Sequence, residues 1–169
     1  FRRVLFRSLA DDATARAALA DVEVLLTWWG GRWQRVEDLS AFAPRLRWVQ
    51  LGSAGSDAVL EQMERLGDQV VFTNAAGINA SVIAECVVGY ILLFAKRWLE
   101  ARRNQAEHRY ARFMPGVVEG STVGILGMGH IGEEVARRMR ALGCRIVGTR
   151  RSGAPHPLAD EMVPVAELP

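Results

Sequence analysis

The stretch Val123-Gly124-Ile125-Leu126-Gly127-Met128-Gly129-His130-Ile131-Gly132, continued by Glu133-Glu134-Val135-Ala136-Arg137-Arg138-Met139, decides the architecture. A short apolar run leads into G-x-G-x-x-G. Beyond Gly132, the apolar Val135, Met139 and Leu142 recur at helical spacing, so one face of that segment is apolar. Arg145-Ile146-Val147-Gly148-Thr149 then reads as a second strand. Strand, glycine turn, helix and strand in this order are the context in which the motif points to a dinucleotide. The three glycines differ in what they permit. Gly127 turns the chain tightly out of the strand, Gly129 lets backbone approach a pyrophosphate, and Gly132 lets the helix close on the strand. The unpaired N–H groups and the positive end of the helix dipole would face the phosphates. Met128 and His130 are variable positions, and His130 is expected in solvent rather than in acid–base work. The bland alternative is a glycine-rich turn that holds nothing.

Working outward, 169 residues leave room for one large domain or two small ones, and at 50% hydrophobic they can build a core. The net charge is +2, and the arginines are spread, as at Arg102-Arg103 and Arg137-Arg138, without a long basic tract. That argues against a nucleic-acid partner. No apolar run reaches membrane-spanning length and no signal peptide is visible. Cys86 lies in an apolar helical pattern and Cys144 opens a strand; without metal-ligand spacing they read as reduced core residues of a cytoplasmic protein, with no metal site. The ends are unusual. Phe1-Arg2-Arg3-Val4-Leu5-Phe6-Arg7-Ser8 looks like translated sequencing adapter, so residues 1–8 are expected to be a non-native leader, the alternative being a genuine strand over Val4-Leu5-Phe6. Val165-Ala166-Glu167-Leu168-Pro169 stops where a helix would begin, and both ends suggest a fragment.

Upstream of the glycine turn, helices alternate with strands, which implies a parallel α/β sheet. Asp12 to Ala20 is helix-prone; Val22-Glu23-Val24-Leu25-Leu26-Thr27 is a nearly continuous apolar strand, the pattern of one covered on both faces. Trp28, Trp29 and Trp33 follow it and could wall a cleft or cover the core edge. Val36 to Phe42 reads as a short helix. The strand Leu46 to Leu51 ends in Gly52-Ser53-Ala54-Gly55-Ser56-Asp57, a loop whose amides suit a carboxylate or phosphate, or which is an ordinary turn. A helix over Val59 to Leu66 and a strand over Gln69 to Asn74 come next. Asn79 or Ser81 would cap a helix running from Ala80 to about Arg103, apolar almost all round from Val82 to Ala95 and therefore expected to be buried. Glu85 is its exception and needs a partner or a surface position. Pro115-Gly116 marks a boundary.

Three ordered motifs now stand together: Leu46-Arg47-Trp48-Val49-Gln50 with Gly55-Ser56-Asp57, Thr73-Asn74-Ala75-Ala76-Gly77-Ile78-Asn79 with Ala84-Glu85, and the glycine turn. Their combination resembles the D-isomer-specific 2-hydroxyacid dehydrogenases, over nearly everything after residue 9, and is closest to glyoxylate/hydroxypyruvate reductase-like members. The resemblance implies an α/β fold: a flavodoxin-like parallel-sheet substrate domain over 9–103, including the long connecting helix, and a truncated Rossmann nucleotide-binding domain over 104–169, with a cofactor cleft between two such domains. It implies that Ser53, Ala54 and Gly55 offer amides to the substrate carboxylate, that Asn79 and Ile83 lie near the nicotinamide, and that Gly127, Met128, Gly129, His130, Ile131 and Gly132 hold the pyrophosphate. Where the NAD-using pattern has an acid at the adenosine ribose, this chain has Arg150, Arg151 and Ser152, which looks like the NADP-using members; NADP is the expected cofactor, with NAD possible. The family's catalytic Arg, Glu and His fall beyond the last residue, and His108, His130 and His156 match none of them. The chain as given is therefore expected to be inactive, and its full-length parent to be a homodimer.

Two readings of different class follow. One is an oxidoreductase that interconverts D-2-hydroxy acids and small 2-oxo acids such as glyoxylate or hydroxypyruvate. The other is a non-catalytic dinucleotide-binding module that senses its cofactor, as in corepressor-like relatives.

Overall fold

The computed structural model describes residues 4–5, 17–27 and 39–167. By packing, the chain divides into two compact units, Phe1–Ala76 and Gly77–Pro169.

The first unit is built on a parallel sheet of β1 (Val4–Leu5), β2 (Val24–Thr27), β3 (Trp48–Leu51) and β4 (Val71–Thr73), in the order β1-β2-β3-β4. Val4 and Leu5 pair with Val24 and Leu25, as the strand reading of that segment expects. Parallel neighbours need a crossover. Between β3 and β4 it is a 3-10 turn, Asp57–Val59, that runs into α2 (Leu60–Leu66); α1 (Leu39–Phe42) precedes β3. Leu25, Val49 and Leu51 meet Leu39, Phe42, Val59 and Leu66 in one core. The apolar run of β2 is explained by this arrangement. A polar chain crosses the same sheet: Trp48 Nε1 donates to Thr73 Oγ1 at 2.7 Å, which donates to Gln50 Oε1 at 2.6 Å. Trp28, Trp29 and Trp33, and the expected helix starts at 12–16 and 36–38, lie outside the described residues.

The second unit holds a parallel sheet of β5 (Thr122–Leu126), β6 (Arg145–Thr149) and β7 (Glu161–Val163), in that order. The helices are α3 (Ala80–Ala95), α4 (Trp98–Ala106) and α5 (His130–Ala141). Val135, Ala136 and Met139 of α5 are buried against Ile125 and Ile146 of the sheet and Ala84 of α3, so the face expected after Gly132 is the packed one. Strand β7 escapes a pattern reading because it is three residues long and only Met162 and Val163 are apolar.

The expected single helix from Ala80 to Arg103 is two helices. Arg97 sits in the left-handed region at φ 55° and separates α3 from α4. The returning chain seals the break: Gly116 N–H donates to Ala95 C=O at 2.7 Å, Lys96 Nζ donates to Gly116 C=O at 2.9 Å, and the Arg97 guanidinium lies 4.9 Å from the Phe113 ring centroid. Nor is α3 buried all round. Ala80 and Ala84 are buried, whereas Val82, Tyr90 and Phe94 are exposed, because α5 covers one face of the helix and not the others. Glu85 has found a surface position with a partner: Arg138 of α5 lies 3.6 Å away and also donates to Ser81 Oγ at 2.6 Å. Cys86, expected in the core, is exposed on this helix, while Cys144 is buried with its thiol donating to Val118 C=O. Packing groups α3 with the second unit, which begins at Gly77. Among the described residues no helix is long and apolar enough to cross a membrane.

Candidate functional site

Gly127 leaves β5 at φ 105°, a conformation that favours glycine. Gly129 is the N-cap of α5 and brings no side chain to it. The first helical hydrogen bond runs from Glu133 N–H to Gly129 C=O at 2.8 Å. The helix therefore supplies no acceptor to the amides of His130, Ile131 and Gly132, which point out of its positive end. A Cβ on Gly132 would stand 2.2 Å from the Gly127 carbonyl oxygen, whereas one on Gly129 would meet nothing within 4 Å. Gly132 thus closes helix on turn, and Gly129 keeps a space open in front of the amides. Those two properties are what a pyrophosphate requires, so the residues present fit a dinucleotide.

The other motif positions separate in role. Met128 is buried; its side chain fills the place of a Cβ on Gly148, and its amide donates to Thr149 C=O at 2.8 Å. It is a packing residue of the turn, with neither side chain nor amide turned to the amide cluster. Ile131 is 44% exposed at the helix start. His130 is exposed, with its ring laid on the Gly77 backbone, where a Cβ would touch the imidazole at 3.2 Å. Asn79 occupies the N-cap of α3, but neither it nor Ser81 caps through its side chain; Ser81 serves Glu85 and Arg138 instead. Ile83 is exposed one turn further on.

Beyond β6, Arg150 C=O accepts Gly153 N–H at 3.0 Å, so Arg150, Arg151 and Ser152 ride on a tight turn. Among the described residues neither Arg150 nor Arg151 has a carboxylate partner, while Arg138, Arg140 and Arg145 all do. His156 ties the end of this loop to α5: Nε2 meets Glu133 Oε1 at 3.1 Å and Nδ1 accepts Leu158 N–H at 3.2 Å. Both ring nitrogens are occupied and the side chain is 9% exposed. This Glu–His pair is consequently a latch, not an acid–base dyad. Further along α5, the Arg138 guanidinium hydrogen-bonded to Glu134 holds that carboxyl below its ordinary range.

In the first unit, the loop after β3 is held by its carbonyls. Ala75 N–H donates to Ser53 C=O at 2.9 Å, Asn74 Nδ2 to Ala54 C=O at 3.0 Å, and Ser53 Oγ to Gly55 C=O at 3.2 Å. A planar trans peptide directs its N–H opposite its C=O, so the amides of Ala54 and Gly55 turn away from the Asn74–Ala76 turn. The result is a small nest of donors. A pocket of about 370 Å³ lined by Leu51, Ser56, Met63, Phe72, Thr73 and Asn74 lies beside it. By sequence Asn74 is a turn residue only; in the structure its carboxamide bridges the two turns, with Oδ1 accepting Ala76 N–H at 3.1 Å. An Asn directly after a strand is the signal that could have found it. Among the described residues no group of His, Cys, Asp and Glu could hold a metal.

Residues 88–169 match the family described as D-isomer specific 2-hydroxyacid dehydrogenase, NAD binding domain. Glyoxylate/hydroxypyruvate reductase HPR3 of Arabidopsis thaliana is 30% identical over 145 residues, which are 81% of this chain and 44% of the reductase. The crystal structure of a D-isomer specific 2-hydroxyacid dehydrogenase family protein from Aeromonas salmonicida superposes with a TM-score of 0.77 at 25% identity, covering 93% of this chain and 49% of that one. An NADPH-dependent glyoxylate/hydroxypyruvate reductase from Sinorhizobium meliloti, in complex with NADP and sulfate, superposes with a TM-score of 0.70 at 25% identity, over 92% of this chain and 47% of its own. The chain spans less than half the length of these relatives.

Proposed function

We propose that this chain, which belongs to the D-isomer-specific 2-hydroxyacid dehydrogenase family, serves NADP-dependent reduction of small 2-oxo acids such as glyoxylate or hydroxypyruvate to D-2-hydroxy acids. When bound, the nicotinamide supplies the hydride that passes to the substrate carbonyl carbon. The chain's own residues bind and orient. The amides of His130, Ile131 and Gly132 and the open space at Gly129 hold the pyrophosphate; Arg150, Arg151 and Ser152 hold the 2′-phosphate. Asn79 and Ile83 serve the nicotinamide end. The amides of Ala54 and Gly55, in the loop that Ser53 opens, hold the substrate carboxylate. The observation that carries the cofactor preference is the pair of arginines at the end of β6, which have no carboxylate partner among the described residues. A guanidinium donates to phosphate oxygens in a fork and attracts their charge, where an Asp or Glu would repel it.

One charge-assisted contact contributes about 1.5–3 kcal/mol, which favours NADPH over NADH by roughly ten- to a hundredfold at low salt. The test compares kcat/KM for NADPH and NADH with glyoxylate and with hydroxypyruvate, in a chimera that joins this chain to the remaining half of a relative, before and after Arg150→Asp with Arg151→Ala. Equal use of both cofactors by the unmodified protein, or an unchanged ratio in the double variant, overturns the preference. Binding of NADPH without oxidation by either oxo acid would favour the cofactor-sensing reading. Self-association belongs to the proposal as well, since exposed Val82, Tyr90 and Phe94 of α3 form the kind of apolar surface that partners cover; a strictly monomeric sedimentation profile would count against it.

A further inference from the structure

The glycine turn is not held by its own residues alone. The register of the second sheet pairs Leu126 with Thr149, which sets Thr149 beside the first residue of the turn. There its hydroxyl accepts Gly127 N–H at 3.2 Å, and its carbonyl accepts Met128 N–H at 2.8 Å. Thr149 is 6% exposed, so its side chain is packed behind the turn. The neighbouring Gly148 admits the Met128 side chain, with a Cβ there only 2.5 Å from Met128 Cγ. Two consecutive residues of β6 thus grip two consecutive residues of the turn.

We infer that Thr149 is a positioning residue for cofactor binding: its hydroxyl fixes the Gly127 peptide and so the direction in which the amides after Gly129 point. The inference rests on the function proposed above and adds a residue to it. Because the turn faces the pyrophosphate, common to NADP and NAD, Thr149 acts on both cofactors alike. Arg150, the next residue along, acts on the 2′-phosphate that only one of them carries. Losing one neutral hydrogen bond of this kind changes affinity by roughly three- to tenfold.

The experiment measures Kd for NADPH and NADH by nicotinamide fluorescence in the protein and in Thr149→Val and Thr149→Ser, with hydrogen exchange of the Gly127 amide as a second readout. Thr149→Val, which keeps the shape and loses the acceptor, is expected to weaken both cofactors by the same factor, leaving their ratio unchanged. Thr149→Ser, which keeps the acceptor, is expected to restore both affinities and the protection of the Gly127 amide. Unchanged affinities in a folded Thr149→Val, or a loss confined to NADPH, overturns the inference. If Thr149→Val does not fold, the serine variant decides: loss of Gly127 protection or weakened binding there overturns the inference, and retention of both supports it. Failure of the unmodified protein to bind either dinucleotide would instead overturn the proposed function.

Discussion

Two loops follow parallel strands in this molecule, one in each unit, and both turn backbone amides outward. The loop 52–56 does so because its carbonyls are taken by the Asn74–Ala76 turn and by Ser53. The turn 127–132 does so because a helix begins there and Thr149 grips its entry. They differ in what enforces the shape. Around the glycine turn, backbone presses on backbone, so the conformation is over-determined by packing. The Asn74 bonds are exposed to water, and three ordinary hydrogen bonds carry the first loop. The first loop is thus held by contacts that one side chain can alter.

The strongest way to break this contrast is at Gly132. Gly132→Ala places a methyl 2.2 Å from a backbone oxygen, so helix and turn must separate. Overpacking of this kind costs about 1–3 kcal/mol, and both stability in urea and NADPH affinity are expected to fall. Gly129→Ala is the matched control. Its methyl meets nothing within 4 Å among the described residues, so stability should change by less than about 1 kcal/mol while cofactor affinity still falls. Normal NADPH binding by Gly129→Ala would show that the open space is not used.

The next largest effect is expected at Asn74. Asn74→Ala removes two exposed hydrogen bonds, together about 1 kcal/mol, and frees the loop that carries Ser53, Ala54 and Gly55. Steady-state kinetics of a chimera that joins this chain to the remaining half of a relative should show KM for the 2-oxo acid rising roughly fivefold, with Kd for NADPH unchanged. An equal loss in both would mean that the two loops are not held independently.

The smallest effect concerns pH. Asp160 accepts Ile146 N–H at 2.7 Å and an Arg140 contact at 2.8 Å, and these two, in that order of weight, hold its carboxyl below the ordinary range. A carboxyl depressed in the folded state adds stability that is complete above its unfolded value and is lost as pH falls through the lower folded value. The melting temperature of the protein should therefore exceed that of Asp160→Asn near neutrality, and the gap should close in acid. A gap that widens in acid would reverse the assignment.

Much of the nucleotide turn is legible without any coordinates. Gly127 turns the chain and Gly132 closes helix on turn, as their spacing implies, because the constraints lie within six residues of chain, and the apolar face of Val135 and Met139 follows from helical period alone. The first loop is less legible, since a Gly/Ser run permits many turns and only the carbonyl partners select one. Met128 and Thr149 are not legible in sequence: one looks like a variable loop position and the other like an ordinary strand residue, yet both are buried where the turn meets β6. Helix α3 illustrates the opposite error. Its composition implies burial all round, but burial depends on which neighbours arrive, and among the described residues only one face is covered.

The sequence by itself therefore determined the parallel α/β character, the glycine turn with its outward amides, and the two arginines that end β6, all of which arise from local period, backbone sterics and spacing. Tertiary structure alone decided that Arg97 breaks the long helix, that His156 latches the loop after β6 to Glu133, that Asn74 sets the direction of the Gly55 amide, and that Thr149 holds the turn. Each of these joins residues from separate elements, and such contacts are fixed by the register and packing of the sheet, which no local pattern encodes.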